Sequence, residues 1–573
     1  MRDAGWRLGR GLPIALSAIA CGAAHGMPSA VDAHSSQVSA PPAASTTPSS
    51  HEATLTVILR PSVEASPLVH VVIDVHADAG ALRTWSRRVT TKATNVRATD
   101  SRGAVELQGV SGSPSIQLSR DAVGDVHLEY DVTSSGDPAG VMVLTDRFAG
   151  AGEDLLLLPD GLDASLVTAT VTVEGDAIGA PKAASCVGVG PTRSTTRVGR
   201  FLRRCNFVAG SLGTAVFDAA EGHDEAAWLG YTAFDPRAVV GELAQVRTEL
   251  GDFFRTGHDT PMTYLFVAEG RSAGDFRASA RAESVLVRLG VSEAWAAPLR
   301  IAVTEQLMHA WIGGVLWVGP TDRAHEAESV WFVDGVARFL TTRRLRSYGL
   351  LEPGELATEV VDEAAEQATS PFRGKTNTEI AAHIDVQGAR AELVARGALY
   401  AALVDSRIRR ATKNARSLET VLRELYAAAA VSAKPFPVSA WIAALHADLG
   451  DEAVELHRRF EGGAEITLPS DALGPCYRAA SVHFARFDLG YDAHVAHPIH
   501  GLESGGPAAR AGVLEGDVVE SADYKEGRAD VPVKLTLTRE GKTMKLEYLP
   551  RGTEHPGQGW TRIASVPADR CVP

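Results

Sequence analysis

The hydrophobic pattern changes period twice along this chain, and that constrains the fold more than any other feature. From residue 53 to about 215, apolar and polar residues alternate, as in "ATLTVILR", "HVVIDVHA", "VHLEYDVT" and "SLVTATVTVEG". A period of two broken by Gly, Asp and Ser turns predicts many short strands, and without intervening helices these predict a β-sandwich. From 216 to about 462 the spacing becomes helical, in "PRAVVGELAQVRTELGDFF", "APLRIAVTEQLMHAWIGGVL" and "ARAELVARGALYAALVDSRIRRA", with one strand pattern, "MTYLFVAEG", near the start. From 470 to 573 strands return. A chain of 573 residues is too long for one core, so three successive domains are expected over 53–215, 216–462 and 470–573.

The N-terminus reads as an export signal. Arg2, Arg7 and Arg10 precede the short apolar run "GLPIALSAIAC", which is too short to cross a bilayer as a helix. Cys21 closes that run in a context approximating a bacterial lipobox, with Ala18 where Leu is usual. Lipidation of Cys21 and ordinary cleavage near Ala24 are the two readings. Residues 22–52 are rich in Ser, Pro and Ala, cannot build a core, and read as a flexible tether behind a signal peptide over 1–21. The expected location is therefore the periplasm, or the outer membrane as a bacterial lipoprotein held there by its lipid. Removing Cys21 leaves Cys186, Cys205, Cys476 and Cys571, an even number in an exported chain. Proximity pairs Cys186 with Cys205 and Cys476 with Cys571. A net charge of −14 gives no general attraction to nucleic acid, and scattered surface carboxylates explain it as well as an acidic site would.

Three helical segments carry a definite resemblance. "EQLMHAW" stands where zinc peptidases of the gluzincin group have His-Glu-x-x-His. In that motif the two histidines lie one turn apart and hold a metal, and the glutamate between them is the general base. "VWFVDGVARFL" occupies the place of the Trp-x-x-Glu-Gly segment that supplies the third ligand, and "ARGALYAALVDSRIRR" that of a Tyr-x-Lys-Gly-Ala-Leu segment. In order, with a β-rich domain before them, these motifs resemble the glycyl aminopeptidase family. That resemblance implies a thermolysin-like mainly helical domain, zinc, and peptide substrates with a small N-terminal residue.

Carried over position by position, the family's machinery is largely replaced. The first zinc histidine falls on Glu305, the general base on Gln306, the second histidine on His309, the third ligand on Asp334, and the oxyanion-stabilising tyrosine on Val394. Arg396 replaces a lysine and reads as structural. Glu305, His309 and Asp334 could still ligate a metal with more oxygen character, although Asp334 is one methylene short. His309, taken alone, reads first as a packed histidine. An amide cannot take a proton from water, and valine donates no hydrogen bond. Loss of a general base costs roughly 10²–10⁴-fold and of an oxyanion donor roughly 10²–10³-fold. His325, Glu326 and Glu328 lie between the helices, where one could replace a lost ligand, although loop residues of this type are usually solvated. Trp311, Trp331 and Phe332 read as core.

"GGPAARAGVLEGDVV", residues 505–519, resembles a PDZ signature, with the carboxylate-binding loop falling near "FDLGYD". PDZ domains bind extended peptides by strand addition. Only "ESADYKEGRADVP" separates Val519 from the next strand, which leaves hardly a turn for the helix that walls the usual groove. The expectation from sequence is a peptidase-like protein that has lost catalysis, needs no cofactor, and binds a peptide or protein through its cleft or its last domain. The alternatives are an altered but active metal-dependent aminopeptidase, and a PDZ-type interaction protein supported by the helical domain.

Overall fold

The computed structural model describes residues 53–571, apart from 65, 88–92, 110–114, 135–139, 219–222, 231, 257–260, 270–273, 282, 323, 493–497, 526 and 568–569. The expected signal peptide, Cys21 and the tether lie outside the described residues.

The alternating N-terminal segment forms three sheets. The largest has seven strands in the order Thr192–Val198, Leu166–Val173, Ala53–Ser62, Leu68–His76, Val126–Thr133, Ala93–Asp100, Gly103–Val105. Ala53–Ser62 pairs in parallel with Leu166–Val173 and antiparallel with Leu68–His76. Its alternate residues Leu55, Val57 and Leu59 are buried, as period-two patterning requires of a half-buried strand. A five-stranded and a four-stranded sheet complete a β-rich region with its own core around Trp85, Tyr130, Phe148 and Phe207. Cys186 is bonded to Cys205 within that core.

The helical region begins with a five-stranded mixed sheet: Gly213–Asp218, His223–Leu229, Thr263–Glu269, Ser284–Gly290 and, at the edge, Arg277–Arg281. Helix α1, Pro236–Phe254, crosses between the parallel strands His223–Leu229 and Thr263–Glu269. It starts where Asp235 accepts a hydrogen bond from the Arg237 backbone N–H at 3.0 Å and Pro236 supplies the preset φ of a first turn. Then follow α2 (Ala297–Met308), α3 (Ala337–Ser347), α4 (Pro353–Thr369), α5 (Ala389–Ala411), α6 (Leu418–Ser432), α7 (Val438–Leu449) and α8 (Glu452–Glu461). Trp331 is the hub of their core, with ring centroids 5.2 Å from Phe460, 5.9 Å from Trp441 and 6.0 Å from Tyr400. Trp311 and Phe332 are buried with it.

After α8 the chain divides between two structures. Tyr477–Phe487 and Arg551–Arg562 pair as a long antiparallel ribbon that packs on α4. Tyr477, Cys476 and Cys571 belong to the helical core, and Cys476 is bonded to Cys571. Between the ribbon strands, a three-stranded sheet (Val518–Asp523, Val533–Arg539, Lys542–Tyr548) and a short helix, Pro507–Arg510, enclose a small core of Leu489, Ile499, Val513, Leu535 and Leu537. Among the described residues, no helix lies between Asp523 and Val533. Also among them, no helix is long and apolar enough to cross a membrane.

Candidate functional site

The second and third helical motifs meet because two glycines let their backbones touch. Gly335 follows Asp334, and Gly397 lies on α5. A β-carbon at 397 would fall 2.1 Å from the Trp331 carbonyl oxygen, and one at 335 would fall 2.7 Å from the Gly397 Cα. No other residue permits that approach. The segment Trp331–Val336, which carries Asp334, is a π-helical turn running into α3. Such widened turns are rare and re-aim side chains within a helix.

Helix α2 carries Glu305 and Gln306 on its last turns and ends at His309. It stops because the chain reverses through Gly313, at φ +92°, where a side chain would be strained. The His309 backbone N–H still bonds to the Glu305 carbonyl at 3.3 Å. The His309 ring places Nδ1 3.3 Å from the Ile312 carbonyl, which requires a proton on Nδ1 and leaves Nε2 facing the cleft. Nε2 lies 3.7 Å from Asp334 Oδ1, so Asp334 reaches the histidine despite its short side chain.

The remaining positions are engaged elsewhere. Glu305 accepts from Arg338 Nε at 3.0 Å. The other oxygen of Asp334 takes a hydrogen bond from the Arg390 guanidinium. Gln306 Oε1 accepts from the Ala280 backbone N–H at 2.9 Å, docking α2 onto the edge strand Arg277–Arg281. Val394 lines the cleft and presents only methyl groups. Arg396 is buried and donates to the Lys375 carbonyl at 2.9 Å and to the Phe460 carbonyl, a structural role. Glu326 reaches the cleft rim, whereas His325 pairs with Asp322 at 2.7 Å in an exposed loop.

These residues surround an open cleft of about 990 Å³. The resemblance implies zinc, and the donor set does not fit it. Two of the three positions, Glu305 and Asp334, are ion-paired to guanidinium groups, which offsets the negative charge they could offer a metal. Among the described residues, no three His, Cys, Asp or Glu side chains converge as a metal site. His309 and Asp334 alone keep a ligand-like relation.

A feature not singled out from sequence is the opposite wall. Glu359, Asp362, Glu363 and Glu366 of α4 all line the cleft. Their spacing of three, one and three residues puts them on one helix face. Burial pushes the Glu363 carboxyl up to about 8 against the pull of Arg338, and burial likewise raises Glu359, Asp362 and Glu366. Arg338 is held more strongly protonated, chiefly by the Glu305 carboxylate. The acidic spacing is visible in "ELATEVVDEAAEQAT", but sequence alone reads it as a solvated helix face.

Neither a protein-family model nor a curated protein matches the sequence. Among solved structures, the chain is similar to an aminopeptidase N family protein from Idiomarina loihiensis, with a TM-score of 0.65 and 14% identity over 89% of this chain and 98% of that one. It also matches an M1 zinc metallopeptidase from Deinococcus radiodurans, with a TM-score of 0.46 and 16% identity over 73% of this chain and 94% of that one. The first likeness spans β-rich sheets followed by a helical region, and the chain shares that fold with the Idiomarina protein.

Proposed function

We propose that this chain is an exported, glycyl-aminopeptidase-like protein that has lost hydrolysis and acts as a binding or scaffold protein in the cell envelope. The observation that carries the reading is the pairing of Arg338 with Glu305 and of Arg390 with Asp334. Guanidinium groups occupy the carboxylates that a catalytic metal would need. Gln306 has no basicity to activate water and is engaged with Ala280. Val394 supplies no oxyanion donor. Such groups act as a unit, so partial retention gives little rate. The two disulfides fit an oxidising compartment. Lipidation at Cys21 and a PDZ-like role for residues 470–573 belong to the same proposal. An acylated Cys21 in the mass spectrum of the mature protein supports the anchor, and an N-terminus beyond Ala24 refutes it.

The second reading is an altered metal-dependent aminopeptidase for small N-terminal residues. It is favoured by one observation, the free Nε2 of His309 facing Asp334 at 3.7 Å. A single assay separates the two. The wild type is expected to hydrolyse glycyl and other aminoacyl anilides at background rate with or without zinc. Chelator-sensitive turnover that vanishes in His309→Ala establishes the second reading instead.

A further inference from the structure

The acidic wall of the cleft contains a buried carboxyl that feels the charge of Arg338 but forms no ion pair with it. Glu363 is only 8% exposed, lines the cleft, and among the described residues makes no hydrogen bond or ion pair. A buried carboxylate without a partner is costly, so such a group awaits a cation or keeps its proton. Glu359 and Glu366 flank it, half-buried on the same face. From Glu359 to Glu366 the helix rises about 10 Å, so the three carboxylates form a row and not a point.

The groups that face this row neutralise it only in part. Arg338 approaches from α3, but its Nε is engaged with Glu305 at 3.0 Å. Glu305 from α2 adds negative charge, whereas Glu392 from α5 faces Arg396 and is raised to about 8 by burial. Arg528 of the C-terminal region lies 3.6 Å from Asp362, the exposed member of the acidic face, while also pairing with Asp530 at 2.7 Å. The Lys525 side chain, from the same loop, runs against Gly274. The chain's own cations thus act on Asp362 through Arg528 and on Glu359 and Glu363 through Arg338, while Arg390 pairs with Asp334, yet among the described residues none forms an ion pair with Glu359, Glu363 or Glu366. Across from them stand Ala278, Ala280, Ala391 and Val394, small apolar groups suited to methylene stems.

We propose that the cleft binds a linear aliphatic polyamine, with Glu363 as its deepest anchor and Glu359 and Glu366 on successive ammonium groups. The proposal rests on the reading of this cleft as a binding site. A divalent metal ion needs convergent ligands, and among the described residues none converge. A peptide docking by strand addition would need the Ala280 N–H of the edge strand, which Gln306 already holds. A polyamine needs neither. It offers charge at intervals along a row and apolar links between.

Titration calorimetry of the full-length protein with spermidine at low ionic strength tests this. Saturable one-to-one binding is expected. Glu363→Gln should weaken it about tenfold to a hundredfold, the range for loss of one charge-assisted contact. The half-buried pair Glu359→Gln with Glu366→Gln should weaken it comparably and covers the case in which Glu363→Gln does not fold. Glu455→Gln, the same charge change on the far surface, should leave it unchanged. The absence of saturable binding by the wild type, or an unchanged affinity in both folded cleft variants, overturns the proposal. So does tighter binding of magnesium or of a penta-lysine peptide than of spermidine. Anilide hydrolysis measured on the same samples keeps the two readings apart: turnover refutes catalytic loss, whereas missing spermidine binding without turnover refutes only the polyamine.

Discussion

Replacing Glu363 by Gln should stabilise the protein, by an amount that depends on pH. The side chain is buried, and burial raises its carboxyl from 4.5 to about 8. Between those values the folded state holds a proton that the unfolded chain has released. Stability therefore falls as pH rises, by about 1.4 kcal/mol per unit, from the unfolded value until the folded group also ionises. The accumulated penalty is roughly 3 kcal/mol at pH 7 and approaches roughly 5 kcal/mol above pH 8. Gln has the shape of the protonated acid and no proton to lose. Wild type and Glu363→Gln should accordingly have similar stability at pH 4.5 and differ by several kcal/mol at pH 8, with the variant the more stable. Urea unfolding followed by tryptophan fluorescence, in buffer free of amines, measures the difference at both pH values. Glu392 is also raised to about 8 by burial, but it is common to both proteins and cancels in the comparison. A gap of equal size at pH 4.5 and pH 8, or a variant less stable at pH 8, would refute the reasoning.

Other outcomes follow from packing and pairing. Gly397→Ala drives a methyl to 2.1 Å from the Trp331 carbonyl oxygen, so a loss of about 3 kcal/mol or more is expected in urea unfolding. Arg338→Gln removes the guanidinium from Glu305, so a zinc-dependent rise in Tm should appear that the wild type lacks. Thiol titration of denatured, unreduced protein should find none of Cys186, Cys205, Cys476 and Cys571 free. Reduction of the second bond, across a separation of 95 residues, should cost up to about 5 kcal/mol.

What was legible in the sequence was local. Period two marks Ala53–Ser62 as a strand, yet nothing in those ten residues reveals that its parallel neighbour is Leu166–Val173, more than a hundred residues on. The three helical motifs identify the cleft because each is short and self-contained. Their chemistry is less visible. Gln306 announces the loss of a base, but its bond to Ala280 joins a helix to a strand formed by a separate segment. Arg338 and Arg390 look like ordinary helix-surface arginines until the fold sets them against Glu305 and Asp334. Asp334 is one methylene short of the family's ligand, and the structure carries it on a π-helical turn. The π turn lies where Trp331 packs on Gly397, and it has no local signature in the sequence. The acidic row is written plainly in α4, and only burial separates it from a solvated face. The C-terminal segment forms the strands that its alternation predicts, while the ribbon that carries its small sheet packs against the helical core.

The bond between Cys476 and Cys571 has a consequence for how this protein survives damage. It joins the chain just before the first ribbon strand to a point just after the last, so everything between them is a closed ring. A protease that cuts once inside that ring releases nothing. The two pieces stay linked through sulfur, and the ribbon keeps both of its strands against α4. Nicked protein should run as one band without reductant and as two with it. Mechanical load from either side of the ring likewise passes through a covalent bond and leaves the enclosed sheet unstretched. Under proteolysis or shear, the last hundred residues are fastened at their base and free to be altered beyond it.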